Sequence, residues 1–174
     1  MTGERGLQPL DEAVDHVRGP EGATVILVYG DYECPYTRRA YREIERVEAQ
    51  HPDRVRFAFR HFPLTEIHPH SLAASRAAEA ASAQGRFWEM HDLLFHRQKA
   101  LEDDDLRRYA GEVGLDLAGF DRDRAGETVL ERVERDFRSG LETGQVLGTP
   151  TLFIDGVLHE GGLDAETLLA ALAR

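Results

Sequence analysis

Hydrophobic and polar positions along this chain follow three rhythms. The first is an unbroken, β-branched run, Ala23-Thr24-Val25-Ile26-Leu27-Val28-Tyr29, bounded by Gly22 and Gly30. Such a run predicts a central strand buried on both faces, the kind a parallel α/β sheet needs. The second is alternation. Val55-Arg56-Phe57-Ala58-Phe59-Arg60 reads as a strand with Val55, Phe57 and Phe59 facing a core and Arg56 and Arg60 facing out. The third is helical spacing. Between the two strands, Tyr36, Ala40, Ile44 and Val47 recur as one face, with Arg and Glu between them. Pro35 suits the first helical position, where a missing N–H leaves no bond unmade, and His51-Pro52 marks the end. Together these elements make a βαβ unit, right-handed by the general rule.

From about residue 64 to 145 the rhythm is helical. An alanine-rich helix is expected over His70–Gln84, stopped by Gly85. Phe87, Met90, Leu93 and Leu94 mark a second, and Leu106, Ala110 and Val113 a third, ended by Gly114. Leu117 and Phe120 fall in a short turn. Val129, Leu130, Val133 and Phe137 mark a fourth helix, ended by Gly140 or Gly144. The chain then returns to strand: Thr151-Leu152-Phe153-Ile154, a hairpin turn at Asp155-Gly156, and Val157-Leu158-His159. Asp164 can cap a last helix carrying Leu168, Leu169 and Leu172. Residues 1–20 are polar, with a short edge strand or turn around Ala13-Val14 and His16-Val17. The pattern divides the chain into an N-terminal arm, 1–16, and one domain, 17–174, carrying a helical insertion at about 64–145. A length of 174 residues fits one domain, at ~150 residues per domain.

Charge narrows the partners. Lys and Arg number 21 against 32 Asp and Glu, a net charge of −11, which argues against nucleic acid or an anionic membrane as partner. No apolar run approaches the ~18 residues of a membrane span. The first six residues carry no apolar core of a signal peptide, so the expected location is the cytoplasm. Cys34 is the only cysteine, which excludes an internal disulfide and a cysteine-rich zinc site.

Cys34 lies where the buried strand gives way to a helix, the end of a sheet at which α/β proteins bind ligands. A helix start presents unpaired N–H groups and the positive end of the macrodipole. Both favour a thiolate, which is the nucleophilic form. Thr37, one turn on, can donate to the sulfur or satisfy a backbone N–H. Arg38 and Arg39 add positive charge that suits a thiolate or an acidic thiol substrate, and Glu33 opposes it. Asp31 is either a buried proton acceptor or a loop residue.

Four segments, Gly30-Asp31-Tyr32-Glu33-Cys34-Pro35-Tyr36-Thr37, Phe59-Arg60-His61-Phe62-Pro63-Leu64, Phe87-Trp88-Glu89-Met90-His91 and Gly148-Thr149-Pro150-Thr151, resemble the DsbA-like branch of the thioredoxin superfamily. They also resemble the thioredoxin-like domain fused to some sodium/proton antiporters. The similarity runs from about Val17 to the C-terminus. It implies an α/β thioredoxin fold with a helical insertion, a nucleophile at Cys34, and a cis bond before Pro150 in a loop beside Cys34. The family motif is Cys-Pro-x-Cys, and here Thr37 stands in place of the second cysteine. Without a resolving thiol, a mixed disulfide on Cys34 has no intramolecular release.

On this basis Cys34 and Thr37 are the expected catalytic residues, and Pro35, Tyr36, Arg38, Thr149 and Pro150 the expected substrate-binding residues. The leading expectation is a monothiol thiol–disulfide oxidoreductase with no bound cofactor, using glutathione or another low-molecular-weight thiol as co-substrate. Its partner would be a thiol- or disulfide-bearing protein or a small thiol, and the chain a monomer or weak dimer. Two alternatives stand beside it: a glutathione-dependent transferase or isomerase, and a redox-inactive binding module that pairs an extended segment beside Pro150. His61, His68 and His70 cluster in sequence but show no convergent carboxylate, so no metal site is assigned. His91 and His96 read as surface or boundary residues, Phe87 and Trp88 as core, and the acidic run Glu102–Asp105 as a helix start.

Overall fold

The computed structural model describes residues 6–172. Five strands form one sheet: β1 (His16–Arg18), β2 (Thr24–Gly30), β3 (Val55–His61), β4 (Thr151–Ile154) and β5 (Val157–Leu158), in the order β1-β3-β2-β4-β5. β2 and β3 run parallel, with Thr24 opposite Val55 and Gly30 opposite His61. The other pairs are antiparallel. Helix α1 (Pro35–Gln50) makes the crossover between the parallel strands. Helices α2 (Ser71–Ser82), α3 (Phe87–His96), α4 (Asp103–Glu112), α5 (Leu117–Ala125) and α6 (Glu127–Thr143) lie in sequence between β3 and β4, and α7 (Ala165–Leu172) follows the hairpin.

The two faces of the sheet bury two sets of side chains. Ile26, Val28, Val55, Phe57, Phe59 and Leu152 pack with α1, α7 and the α2–α5 block. Leu27, Tyr29, Ala58 and Phe153 point the other way, against Phe62, Val146, Phe137 of α6, and Leu7 and Leu10 of the N-terminal arm. The hairpin turn at Asp155-Gly156 has positive φ at both residues (46° and 81°), as a tight two-residue turn requires. Asp164 accepts from the Thr167 N–H at 2.9 Å at the start of α7.

Five residues depart from the expected pattern. Arg60 is fully buried rather than facing out, because the N-terminal arm and α6 cover the second face of β3 and Asp15 comes in to meet its guanidinium. Tyr36 is 68% exposed, and the helical face it was assigned to is filled instead by Thr37, Ala40, Tyr41, Ile44 and Val47. His91 is fully buried in an aromatic cluster with Tyr32, Phe59 and Phe95. Leu117 and Phe120 belong to the nine-residue helix α5, capped by the Asp116 carboxylate, not to a turn. Of the two glycines expected to end α6, Gly144 does so at φ 66°, while Gly140 lies within the helix.

Candidate functional site

The parallel strands β2 and β3 end side by side, and the chain leaving β2 turns directly into α1. Gly30 allows the turn. A Cβ there would sit 2.6 Å from the Phe59 ring and 2.8 Å from the Thr37 methyl. Cys34 is the residue before the helix, with an extended backbone (φ −74°, ψ 119°). Its N–H donates to the Asp31 carbonyl and its own carbonyl accepts from the Arg38 N–H, both at 3.1 Å. The Gln98 amide donates to the carbonyls of Tyr32 (2.8 Å) and Cys34 (2.9 Å), fastening the loop from outside.

The sulfur faces a second loop, from α6 to β4. Cys34 Sγ donates to the Thr149 carbonyl at 3.4 Å, and the Thr149–Pro150 peptide bond is cis. The Thr149 hydroxyl is buried without a hydrogen-bond partner. Cys34 is largely buried, while two apolar residues of the flanking segments are exposed, Tyr36 at 68% and Leu147 at 91%. Leu147, Gly148, Thr149, Pro150, Leu158 and His159 line a shallow groove along the Thr149-Pro150 loop.

Thr37 is buried, and its hydroxyl accepts from the Asp31 N–H at 3.4 Å. Pro35 is exposed at the first position of α1. Arg38 donates to the carbonyls of Phe95 (2.9 Å) and His96 (3.5 Å), so its guanidinium is engaged by the carbonyl end of α3. Arg39 is the exposed cation of this turn.

The histidines that cluster in sequence go to separate carboxylates. Asp31, fully buried, accepts from the N–H groups of Glu33 (2.8 Å) and Leu64 (2.9 Å) and pairs with His68 Nδ1 (2.8 Å). Glu33 accepts from the His70 N–H and pairs with His70 Nδ1 (2.8 Å). The hydrogen bond that the Glu33 carboxylate accepts from His70 raises the His70 pKa, and Glu102 adds to it. His61 meets neither of these acids and bonds to Glu79. Gln98 and Thr149 Oγ1 carry no sequence signal of their own. Gln98 is 64 residues from its Cys34 partner.

A family model described as thioredoxin matches residues 11–174. The chain is 43% identical over 174 residues, 98% of its length, to the Na(+)/H(+) antiporter NhaA 1 of Mycolicibacterium vanbaalenii. It is 44% identical over 165 residues to the NhaA antiporter of Herminiimonas arsenicoxydans. It spans only 28% and 26% of the length of these relatives, so it corresponds to one part of each. Among solved structures, a thioredoxin-like oxidoreductase from Silicibacter pomeroyi superposes with a TM-score of 0.82 at 30% identity, covering 94% of this chain and 92% of that one. Oxidised BdbD from Bacillus subtilis gives a TM-score of 0.81 at 20% identity over 97% and 95%, a likeness of fold. Among the described residues, no helix is long and apolar enough to cross a membrane.

Proposed function

This chain belongs to the thioredoxin family, with the DsbA-like arrangement of a helical insertion in a thioredoxin fold, and from that premise we propose that it is a monothiol thiol–disulfide oxidoreductase. The observation that carries the reading is the setting of Cys34. The only sulfhydryl of the chain stands at the start of α1, in contact with the Thr149 carbonyl at 3.4 Å, with Thr37 where a resolving thiol would stand.

In the proposed reaction the Cys34 thiolate attacks the mixed disulfide of a glutathionylated protein. A Cys34–glutathione disulfide forms and the protein thiolate leaves. A second glutathione thiolate then attacks the glutathione sulfur of that disulfide, which yields glutathione disulfide and returns Cys34 as thiolate. Each step exchanges one S–S bond for another, so no further oxidant is needed. With a sulfenic acid as substrate, Cys34 forms the disulfide with loss of water and the small thiol releases the product. The thiolate is the attacking form. Tyr36, Leu147 and Pro150 offer an apolar rim for an extended segment. Arg39, rather than the engaged Arg38, is the cation available to a small acidic thiol. A cytoplasmic setting supplies that thiol in its reduced form.

The test is intact-mass analysis after mixing the reduced protein with a glutathionylated peptide. One glutathionyl adduct on Cys34, removed by added glutathione and missing in Cys34→Ser, is the expected result. Conjugation of glutathione to an electrophile without adduct transfer would instead favour the transferase alternative. Failure of both with a titratable Cys34 would leave the binding module.

A further inference from the structure

Away from Cys34, three donor atoms converge. His16 Nε2, His61 Nε2 and Glu79 Oε1 lie within 4.8 Å of one another, and they come from β1, β3 and α2. Sheet register explains the meeting. His16 stands opposite Phe59 across the β1–β3 pair, so its side chain emerges on the face that also carries His61, two residues beyond Phe59. Glu79 reaches this face from α2 and takes both ring nitrogens on one carboxylate oxygen, at 2.6 Å from His16 and 2.7 Å from His61. The side chains are 12%, 0% and 7% exposed for His16, His61 and Glu79. Phe87 stacks on the His16 ring at 3.5 Å and closes one wall. His61 Nδ1 is buried with no partner, so no bond on that side of the ring commits the imidazole to one tautomer.

We propose that His16, His61 and Glu79 form a binding site for one divalent transition-metal cation of the zinc type. Two imidazole nitrogens and a carboxylate oxygen with a fourth position open form a known zinc donor set. A tetrahedral ion with ligands at ~2.0–2.2 Å spaces its donors about 3.3 Å apart. Each nitrogen–oxygen separation here, 2.6 and 2.7 Å, must therefore widen by about 0.6–0.7 Å when an ion enters. One oxygen and two nitrogens do not serve calcium or magnesium, which take six or more oxygens, and the absence of thiolate disfavours Cu(I). The dication also compensates a carboxylate held in a largely apolar pocket. Occupancy would tie edge strand β1 to α2 across the sheet. The site is independent of Cys34 chemistry. No local motif holds the three together, since Glu79 is 63 residues from His16 and 18 from His61.

The test uses tag-free protein stripped with a chelator and titrated with Co2+. The expected result is a tetrahedral d–d absorption that saturates at one equivalent, and a rise in Tm with Zn2+. Glu79→Gln and His61→Gln should lose at least the ~10–100-fold in affinity that even an outer-sphere partner is worth. Cys34→Ala and His70→Gln should keep the spectrum, with no thiolate charge-transfer band. The proposal is overturned if the wild-type protein gives no saturable Co2+ absorption. It is equally overturned if binding survives both ligand substitutions or vanishes in Cys34→Ala. Circular dichroism checks that each variant folds, and if the ligand variants do not, the wild-type and Cys34→Ala spectra decide.

Discussion

Arg60 allows a stability prediction that follows from its bonds alone. All five N–H donors of its guanidinium are used. Nε and Nη2 bond the two Asp15 oxygens at 2.9 and 2.8 Å, Nη1 bonds the Gln8 carbonyl (3.0 Å) and the Tyr29 hydroxyl (2.9 Å), and Nη2 also reaches the Pro9 carbonyl (3.1 Å). Burial alone would push the Asp15 carboxyl up. The hydrogen bonds from Arg60 and the Asp11 N–H, with the nearby positive charges, outweigh burial and hold it below the usual carboxylate range. In Arg60→Met, Asp15 keeps only Arg135 at 3.4 Å and the Asp11 N–H. Removing one partner of a buried pair costs about 3–5 kcal/mol. At roughly 2–4 °C per kcal/mol for a chain of this size, Tm should fall by about 6–20 °C. Urea unfolding should show a lower midpoint at unchanged slope. Adding Asp15→Leu should recover part of the loss, because the stranded charge goes with it. The carboxyl is depressed in the fold, so its contribution is complete above ~3.9 and is lost as pH falls through the folded value. The gap between wild type and variant should therefore narrow in acid. A loss under ~1 kcal/mol, or strict additivity of the two substitutions, would show that Arg60 and Asp15 are not energetically coupled as a buried pair.

Thr37→Cys places a second thiol one helical turn from Cys34 and should give reduction of insulin by dithiothreitol that the wild-type chain lacks; two titratable thiols without such activity would mean that these side chains do not face each other. Gln98→Ala removes two hydrogen bonds from the loop of Cys34, at ~0.5–1.5 kcal/mol each, so urea unfolding should show a loss of about 1–3 kcal/mol together with faster alkylation of Cys34; an unchanged rate would show that the loop holds without the clamp. Burial, joined by Arg18 and the neighbouring histidines, keeps the His91 pKa well below the ordinary value. Unfolding below ~6.5 therefore takes up a proton there and stability falls with pH. His91→Phe should flatten that slope between pH 5 and 7 in urea titrations, and an identical slope would remove His91 from the account.

The parts of the fold that show in the sequence are those whose signal is local. The unbroken run before Gly30, the Pro35 helix start and the Asp155-Gly156 turn each rest on neighbours within a few residues, and each stands where its pattern places it. Two of the departures, at Arg60 and His91, share one cause. Arg60 alternates correctly and still lies inside, because what covers it is an arm 45 residues away in sequence. His91 looks polar, and its imidazole is absorbed by rings from three separate elements, with Tyr32 Oη 2.8 Å from its Nδ1. Period and propensity report which face an element offers, and only tertiary packing decides whether a second face is also covered.

The site divides in the same way, and the division bears on its chemistry. Cys34, Pro35 and the Thr149-Pro150 loop stand out in sequence as motifs, whereas the Gln98 clamp and the pairing of Asp31 and Glu33 with His68 and His70 arise from contacts across 37 to 66 residues. None of the groups that set Cys34 in place is residue 37. The extended backbone at the helix start, the two amide bonds from Gln98 and the Thr149 carbonyl facing the sulfur are contributed by other positions. Thr37 instead turns its hydroxyl toward the Asp31 N–H at the base of the loop. In the proposed cycle the first exchange, attack by Cys34, therefore draws on features that a two-cysteine relative would share. The second exchange is the one altered by Thr37, because release then depends on the concentration of an external thiol rather than on a neighbour held in place. A rate of release that rises in proportion to added glutathione, with the rate of capture unchanged, is the kinetic signature of that division of labour.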